Sequence, residues 1–517
     1  MESLMRNVEL TKCHMPASYQ ERLQNDYFDD RSFLSKIVVH QPEIYYAADF
    51  ILRQTGRSIV VDIGSGNGKK LASIGSTAKQ KYAIDFGVNV EFFKERYPEC
   101  KTLDLDLENS NRNQLPKIDW KASVVICADV IEHLRSPLGL MDCLKHIHDS
   151  GGIIVLSTPD RQKIHGYLHE GPPVNPAHVR EWTLSELSSF FTAHGMKPAF
   201  AGYSISDNMK RKKHNSVLIL DGAINKDCKE ISINPLGVVS CFNDSDIVEQ
   251  LSRKHLSSGI DLHFLDNWSN DGTFEILQKL QLEYPNRITV ERFPSEPTTE
   301  YVWRAILRRK AEIGFSFAGR WIIHIDSDEL RRSPWTEISL KHGLAIAEEY
   351  GSNAVEFGVV EYPPLDDDFG AEIDPAVHFT HCYFSKQPSH FLQTKAWLQG
   401  GHLIDLSSTG GHHAQFPGKR VFPYRFILDH FPIRSTQHGL KKVLKDRKPR
   451  FSHQEKNDLG WHTHYDAVSD GYRFLSLKEF NIEHGPDFLV DNVLEIVTDV
   501  VLQRMQGKLV FPGNDDF

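Results

Sequence analysis

Two short stretches hold residues whose types and spacing can do chemistry. In VVDIGSGNGKK (60–70), Gly64, Gly66 and Gly68 alternate with Ser65 and Asn67 directly behind an apolar run that contains Asp62. Glycine at such positions lets the backbone turn sharply and approach a ligand with no Cβ in the way. In WIIHIDSDEL (321–330), an apolar run leads into Asp326, Ser327 and Asp328. Two carboxylates at the end of a buried strand are costly unless positive charge joins them. A hard divalent cation, Mg²⁺ or Mn²⁺, bridging the acids to a diphosphate would supply that charge. The plainer alternative is an acidic turn that caps the next helix.

Further acids follow the glycine stretch. Asp85 closes KYAID and Asp106 closes LDLDLEN. A carboxylate is acceptor-only and takes two hydrogen bonds, which suits ribose hydroxyls at Asp85 and an adenine amino group at Asp106. Each acid alone reads equally well as a cap or turn carboxylate.

The elements that must position these residues alternate. Apolar runs at 58–63, 82–85, 123–128 and 152–157 read as strands, with helices at 88–97 and 137–148 between them, closing near 217–220. Such alternation predicts a parallel, doubly wound sheet, whose ligands sit beyond the carboxyl ends of the strands. The polar stretch 222–235 reads as a linker. A second alternation follows, with strands at 237–241, 260–265, 288–292 and 320–325 and helices at 244–258 and 273–284. From about 435 the chain reads as helical and charged, ending in an apolar helix at 489–504. The expected fold class is α/β with two doubly wound domains. Their bounds are 1–222 and 236–466, separated by a linker at 223–235 and followed by a helical extension at 467–517.

At 517 residues the chain exceeds one ordinary core. Its net charge of −10 argues against nucleic acid as the main partner. Seven cysteines without CxxC pairs fit reduced thiols better than disulfides or a zinc site. No apolar run reaches the ~18–20 residues that cross a bilayer, so a cytoplasmic protein is expected, with room for peripheral contact at the inner face of a membrane.

Residues 40–220 resemble Rossmann-like S-adenosylmethionine (SAM) methyltransferases. The resemblance runs through the glycine stretch, Asp85, Asp106, ADVIEHL (128–134) and GGIIVLSTPDR (151–161). It implies SAM as cofactor, with Asp62 orienting the glycine loop or the SAM amino group, Asp85 on the ribose and Asp106 on the adenine side. Gly64, Ser65, Gly66 and Gly68 would form the loop, and Ala128 and Asp129 would lie beside the cofactor. The GxGxG spacing tells against an NAD enzyme, which uses GxGxxG. HVREWT (178–183) resembles a segment over the active site, which makes His178 a general base and Arg180 a contact for an anionic acceptor. His133 is a second base candidate, with a purely structural role as its alternative.

Residues 236–466 resemble family 2-like glycosyltransferases of the GT-A fold. The resemblance rests on FNDSD (242–246), on Asp266, Asn267, Ser269, Asp271, Gly272 and Thr273 in DNWSNDGT, on the D-x-D, and on STGGHHAQF (408–416) and LDHFPIRSTQHGLKKV (428–443). It implies a nucleotide-sugar donor touched by Asn243, Asp266, Asn267, Asp271, Asp326 and Arg434. It also implies a Mn²⁺ or Mg²⁺ held by Asp326, Asp328, His413 and His430, with Lys442 as a second phosphate candidate. An inverting mechanism needs a carboxylate base, for which Glu361 and Asp368 are the candidates. GWHTHY (460–465) extends the similarity. Together the two resemblances predict a bifunctional enzyme acting on a carbohydrate acceptor, in synthesis or modification of a bacterial surface glycan. The alternatives are tailoring of a small glycosylated metabolite or protein, or a methyltransferase with a non-catalytic glycan-binding module.

Overall fold

The computed structural model describes residues 13–24, 38–227, 232–385, 388–459, 461 and 466–505; Cys228 and most of GWHTHY lie outside them. The chain forms two compact units, Met1–Lys226 with Leu489–Phe517, and Asp227–Phe488.

The first unit is built on a seven-stranded sheet. Its strands are β1 (Ile59–Ile63), β2 (Gln80–Asp85), β3 (Lys101–Asp104), β4 (Ser123–Ala128), β5 (Ile153–Pro159), β6 (Phe200–Ile205) and β7 (Lys213–Leu220), in the order β3-β2-β1-β4-β5-β7-β6. The first five are parallel, and β7 runs antiparallel to both β5 and β6. Strands β1 and β4 are buried along their whole length, as expected of parallel strands covered on both faces. The strand order reverses between β1 and β4, where an open α/β sheet parts to admit ligands.

Helix α1 (Pro42–Thr55) covers one face of this sheet. Proline opens it and Gly56, at φ 65°, ends it. The stretch expected as a helical extension at 467–517 is divided: its residues to Phe488 group with the second unit and the apolar run from Leu489 with this one. That run forms short helices, Val493–Val497 on β6 and Val500–Met505 on α1, instead of one helix over 489–504. Lys213 pairs with Glu495 at 2.8 Å and Arg53 with Asp499 at 2.9 Å.

The second unit carries a ten-stranded mixed sheet. Strands β8 (Leu236–Cys241), β9 (Asp261–Asp266), β10 (Ile288–Arg292) and β11 (Trp321–Asp326) are parallel in the order β10-β9-β8-β11. Beyond the D-x-D the sheet continues through strands that the alternation did not signal. These are β12 (Glu329–Arg332), β13 (Ala354–Glu361), β14 (His381–Phe384), β15 (Leu392–Leu398) and β16 (Phe426–His430), with β15 antiparallel to β11. A small strand at Ile482–Glu483 pairs with β14. Among the described residues no helix is long and apolar enough to cross a membrane. Cys13, Cys100, Cys127, Cys143, Cys241 and Cys382 are free and buried.

Candidate functional site

At the switch point of the first sheet, Asp62 is fully buried and accepts a hydrogen bond from the Tyr45 hydroxyl at 3.0 Å. Its other oxygen has no protein partner. Burial raises its pKa to about 7, against the pull of Lys70. The loop behind it needs glycine for two reasons. Gly64, Gly66 and Gly68 lie at φ 76°, 54° and 74°. A Cβ on Gly64 would come within 2.3 Å of Val130 Cγ2, and one on Gly68 within 1.9 Å of the Phe93 ring. Ser65 is buried with its hydroxyl unpartnered.

Asp85, at the end of β2, accepts from the Gly66 N–H at 2.7 Å and from the Asn89 amide at 3.1 Å, so it shapes the glycine loop directly. Asp106 lies two residues beyond β3 and accepts from Glu108 N–H and the Asn109 amide. That is the turn-carboxylate arrangement, near the strand end and not in it. Ala128 closes β4, and Asp129 follows at φ 56°. A non-glycine residue in that region is strained, and such strain gathers at functional sites.

The acceptor-side residues converge next to this loop. Glu132 is fully buried, takes the Thr158 hydroxyl at 2.9 Å, and has its pKa driven well up by burial and by the neighbouring Asp129. His133 Nδ1 meets the Ala177 carbonyl at 2.9 Å, and its ring stands edge-on to His178 at 4.9 Å between centroids. Burial and His178 lower its pKa to about 4. His178 Nδ1 lies 2.6 Å from Glu181, whose other oxygen meets His165 Nε2 at 3.1 Å. Asn175 Nδ2 is 2.9 Å from His178 Nε2. Arg180 is spent on the protein itself: it holds Glu21 with two nitrogens and donates to the Leu134 and Arg135 carbonyls.

In the second unit, acids gather at the carboxyl ends of β8, β9 and β11. Asn243, at φ 57°, accepts from Asn270 N–H and places Asp244 beneath the D-x-D. Asp244 takes the Ser327 hydroxyl at 2.5 Å. Asp266 is fully buried at the end of β9, and burial raises its pKa. Asn267 bridges the Phe293 carbonyl and Arg450. Asp271 accepts from the Thr273 N–H and hydroxyl at the start of the helix Thr273–Glu283, whose N-cap is Gly272, and also from Ser245 N–H.

Each acid around the D-x-D has a cationic partner from the protein. Asp326 faces Lys310 at 3.3 Å and Lys395 at 3.5 Å, Asp328 takes Lys442 at 2.7 Å, and Glu329 takes Lys395 at 2.9 Å and Arg331 at 2.6 Å. Arg434 clamps Asp246 and reaches Asp244 at 3.2 Å. Burial opposes ionisation of Asp326 and Asp328, but these lysines overcome it and hold both well below the usual carboxylate range. Burial lowers Lys310 to about 8. His430 Nδ1 lies 2.8 Å from Glu361 and its Nε2 3.9 Å from Asp328. Burial works against its charge, yet Glu361 and Asp328 raise its pKa to about 9.

Of the expected metal donors, His430 lies 3.9 Å from Asp328, but the four do not form one cluster. His413 sits against Thr394, at 3.2 Å, and no cluster of ligating atoms among the described residues joins Asp326, Asp328, His413 and His430. Protein lysines supply the charge that a divalent ion was expected to bring. Asp368 is an exposed loop residue, whereas Glu361 lies within the His430–Asp328 chain.

Residues 19–203 match the model of a family described as a methyltransferase domain. The N-terminal unit carries a methyltransferase domain. Solved structures similar to the chain include a 1,6-didemethyltoxoflavin N1-methyltransferase of Burkholderia thailandensis with S-adenosylhomocysteine. It is 17% identical, with a TM-score of 0.28, over 43% of this chain and 88% of that one. A SAM-dependent methyltransferase of Clostridium acetobutylicum is 11% identical, at a TM-score of 0.27, over 34% and 90%. One from Aquifex aeolicus is 18% identical, at 0.27, over 38% and 98%. No curated protein matches the chain.

Sequence reasoning missed several residues of both clusters. Glu181 stood in the HVREWT segment and Glu329 beside the D-x-D, so adjacency could have found them. Lys310 and Lys395 are buried lysines on a helix (Trp303–Phe315) and on β15, far from any motif in sequence.

Proposed function

We propose that the methyltransferase domain uses SAM, and that the second unit is a GT-A-type glycosyltransferase taking a nucleotide-sugar donor and a carbohydrate acceptor. The observation that carries the first half is the orphaned, buried Asp62 oxygen behind a loop in which Gly64 and Gly68 leave no room for a Cβ. These residues fit a cofactor with an ammonium group and a ribose: Asp62 and the glycine loop for the amino-acid end, Asp85 for the ribose, Asp106 for the adenine side. SAM supplies an electrophilic methyl group there. The chain's own residues hold the acceptor in line and exclude water. His178, oriented through Nδ1 by Glu181, is the base that would take an acceptor proton at Nε2 once Asn175 turns aside.

The second half rests on acids at the ends of three neighbouring parallel strands, β8, β9 and β11, the position at which an open α/β sheet receives ligands. The four donors expected from sequence do not form one ligand set, so no step is assigned to a metal. Glu361 and His430 form the hydrogen-bonded pair next to Asp328 from which a proton acceptor for an inverting transfer would come.

A thermal-shift screen of the intact chain tests both halves, using SAH and UDP-, GDP- and dTDP-sugars with and without Mn²⁺. Stabilisation by SAH, lost in Gly66→Val, supports the first half, and its absence in the native chain removes it. A shift with one nucleotide sugar that survives EDTA supports the second. No shift with any of them leaves the second unit without its donor.

A further inference from the structure

We infer that Glu132, His133 and His178 form a divalent transition-metal site on the acceptor side of the N-terminal domain. One ligating atom from each of the three lies within 4.8 Å of the others. The three come from two separate segments, the turn after β4 and the 175–181 loop, so their meeting is a product of the fold and not of a run in sequence.

The surroundings are those that metal-binding histidines require. A ligating imidazole donates its other N–H to a carbonyl or carboxylate, which fixes the tautomer and aims the ring. His133 Nδ1 faces the Ala177 carbonyl at 2.9 Å and His178 Nδ1 faces the Glu181 carboxylate at 2.6 Å. Both rings therefore keep Nε2 as the ligating nitrogen. Glu181 is itself held by His165 at 3.1 Å, which gives the second histidine a supported partner.

A second observation points to a cation independently. Glu132 is fully buried and one of its oxygens, Oε1, has no partner, while the other is satisfied by Thr158. The Asn175 amide now occupies His178 Nε2 at 2.9 Å and would turn aside when an ion binds. Two imidazoles and a carboxylate favour Mn²⁺, Co²⁺ or Zn²⁺ over Mg²⁺ or Ca²⁺, which prefer oxygen throughout. Such an ion would occupy His178 Nε2 in place of the base role proposed above and would hold an acceptor oxygen beside the methyl donor; that role rests on the methyltransferase reading, whereas the binding does not.

The test uses the full chain, stripped with EDTA, dialysed, and titrated with Zn²⁺ and Mn²⁺. One ion per chain by mass spectrometric metal analysis is expected, and pulsed EPR of the Mn²⁺-loaded protein should show ¹⁴N couplings from imidazole. His133→Ala should abolish part of those couplings. Glu132→Gln keeps the Thr158 bond and the fold, as a circular-dichroism melt would verify, and should weaken binding at least tenfold. A chain that binds SAH but retains neither ion, or whose Mn²⁺ spectrum lacks ¹⁴N coupling, overturns the site. Retention of the ion on these residues without SAH binding supports the site and overturns the methyltransferase reading instead.

Discussion

Asp62 illustrates a residue kept at a cost to stability. Its ordinary pKa is near 3.8 and burial raises it to about 7 in the folded chain. As pH rises above the lower value the unfolded chain ionises first, so the penalty grows from about pH 4 and is complete above pH 7. At pH 8 it is on the order of 4 kcal/mol. Asp62→Asn keeps an acceptor for Tyr45 and should raise the melting temperature of the ligand-free domain while weakening SAH binding at least tenfold. A variant less stable than the native chain at pH 8 would contradict this. His430 has the opposite sign. Its folded pKa of about 9 exceeds the ordinary 6.5, so its contribution is complete below pH 6.5 and is lost as pH rises through 9. Urea unfolding of the second unit should weaken over that window by on the order of 3 kcal/mol, and His430→Gln should flatten the dependence.

At the scale of elements, β11 delivers its acids into a nest of lysines drawn from a helix, from β15 and from the 441–447 helix. Opposite charges this buried are tolerated only as pairs. Lys442→Met leaves Asp328 without its 2.7 Å partner and should destabilise the second unit by about 3–5 kcal/mol. Adding Asp328→Asn should recover most of that loss. Chemical denaturation of the two single variants and the double variant measures the coupling, and additive losses would mean that the pair does not interact. The glycine loop after β1 was legible in sequence because turn chemistry is local. The lysine nest was not, since Lys310, Lys395 and Lys442 reach the D-x-D only through sheet order and packing.

For the molecule as a whole, residues 489–505 complete the first unit. They cover β6, where the Val490 carbonyl and Val493 close over Gly202. They also hold Lys213 and Arg53 through Glu495 and Asp499. Deleting residues 489–517 should therefore destabilise the methyltransferase domain and lower its SAH-dependent thermal shift. The urea transition of the second unit should keep its midpoint. An unchanged SAH shift in the truncated chain would show that the domain stands without this stretch.

Sequence alone determined the parallel cores and the strand ends that carry the glycine loop and the D-x-D. Buried parallel strands must be apolar along their length, and sharp turns demand glycine, so both leave local marks. The tertiary structure decided which charges meet. It engaged Arg180 with Glu21, turned Arg434 onto Asp244 and Asp246, parted His413 from the acids, and joined Glu132 and His133 to His178. It also joined residues 489–505 to the first unit. Side-chain pairing across strands far apart in the chain depends on register and sheet order, which no short pattern of residues encodes.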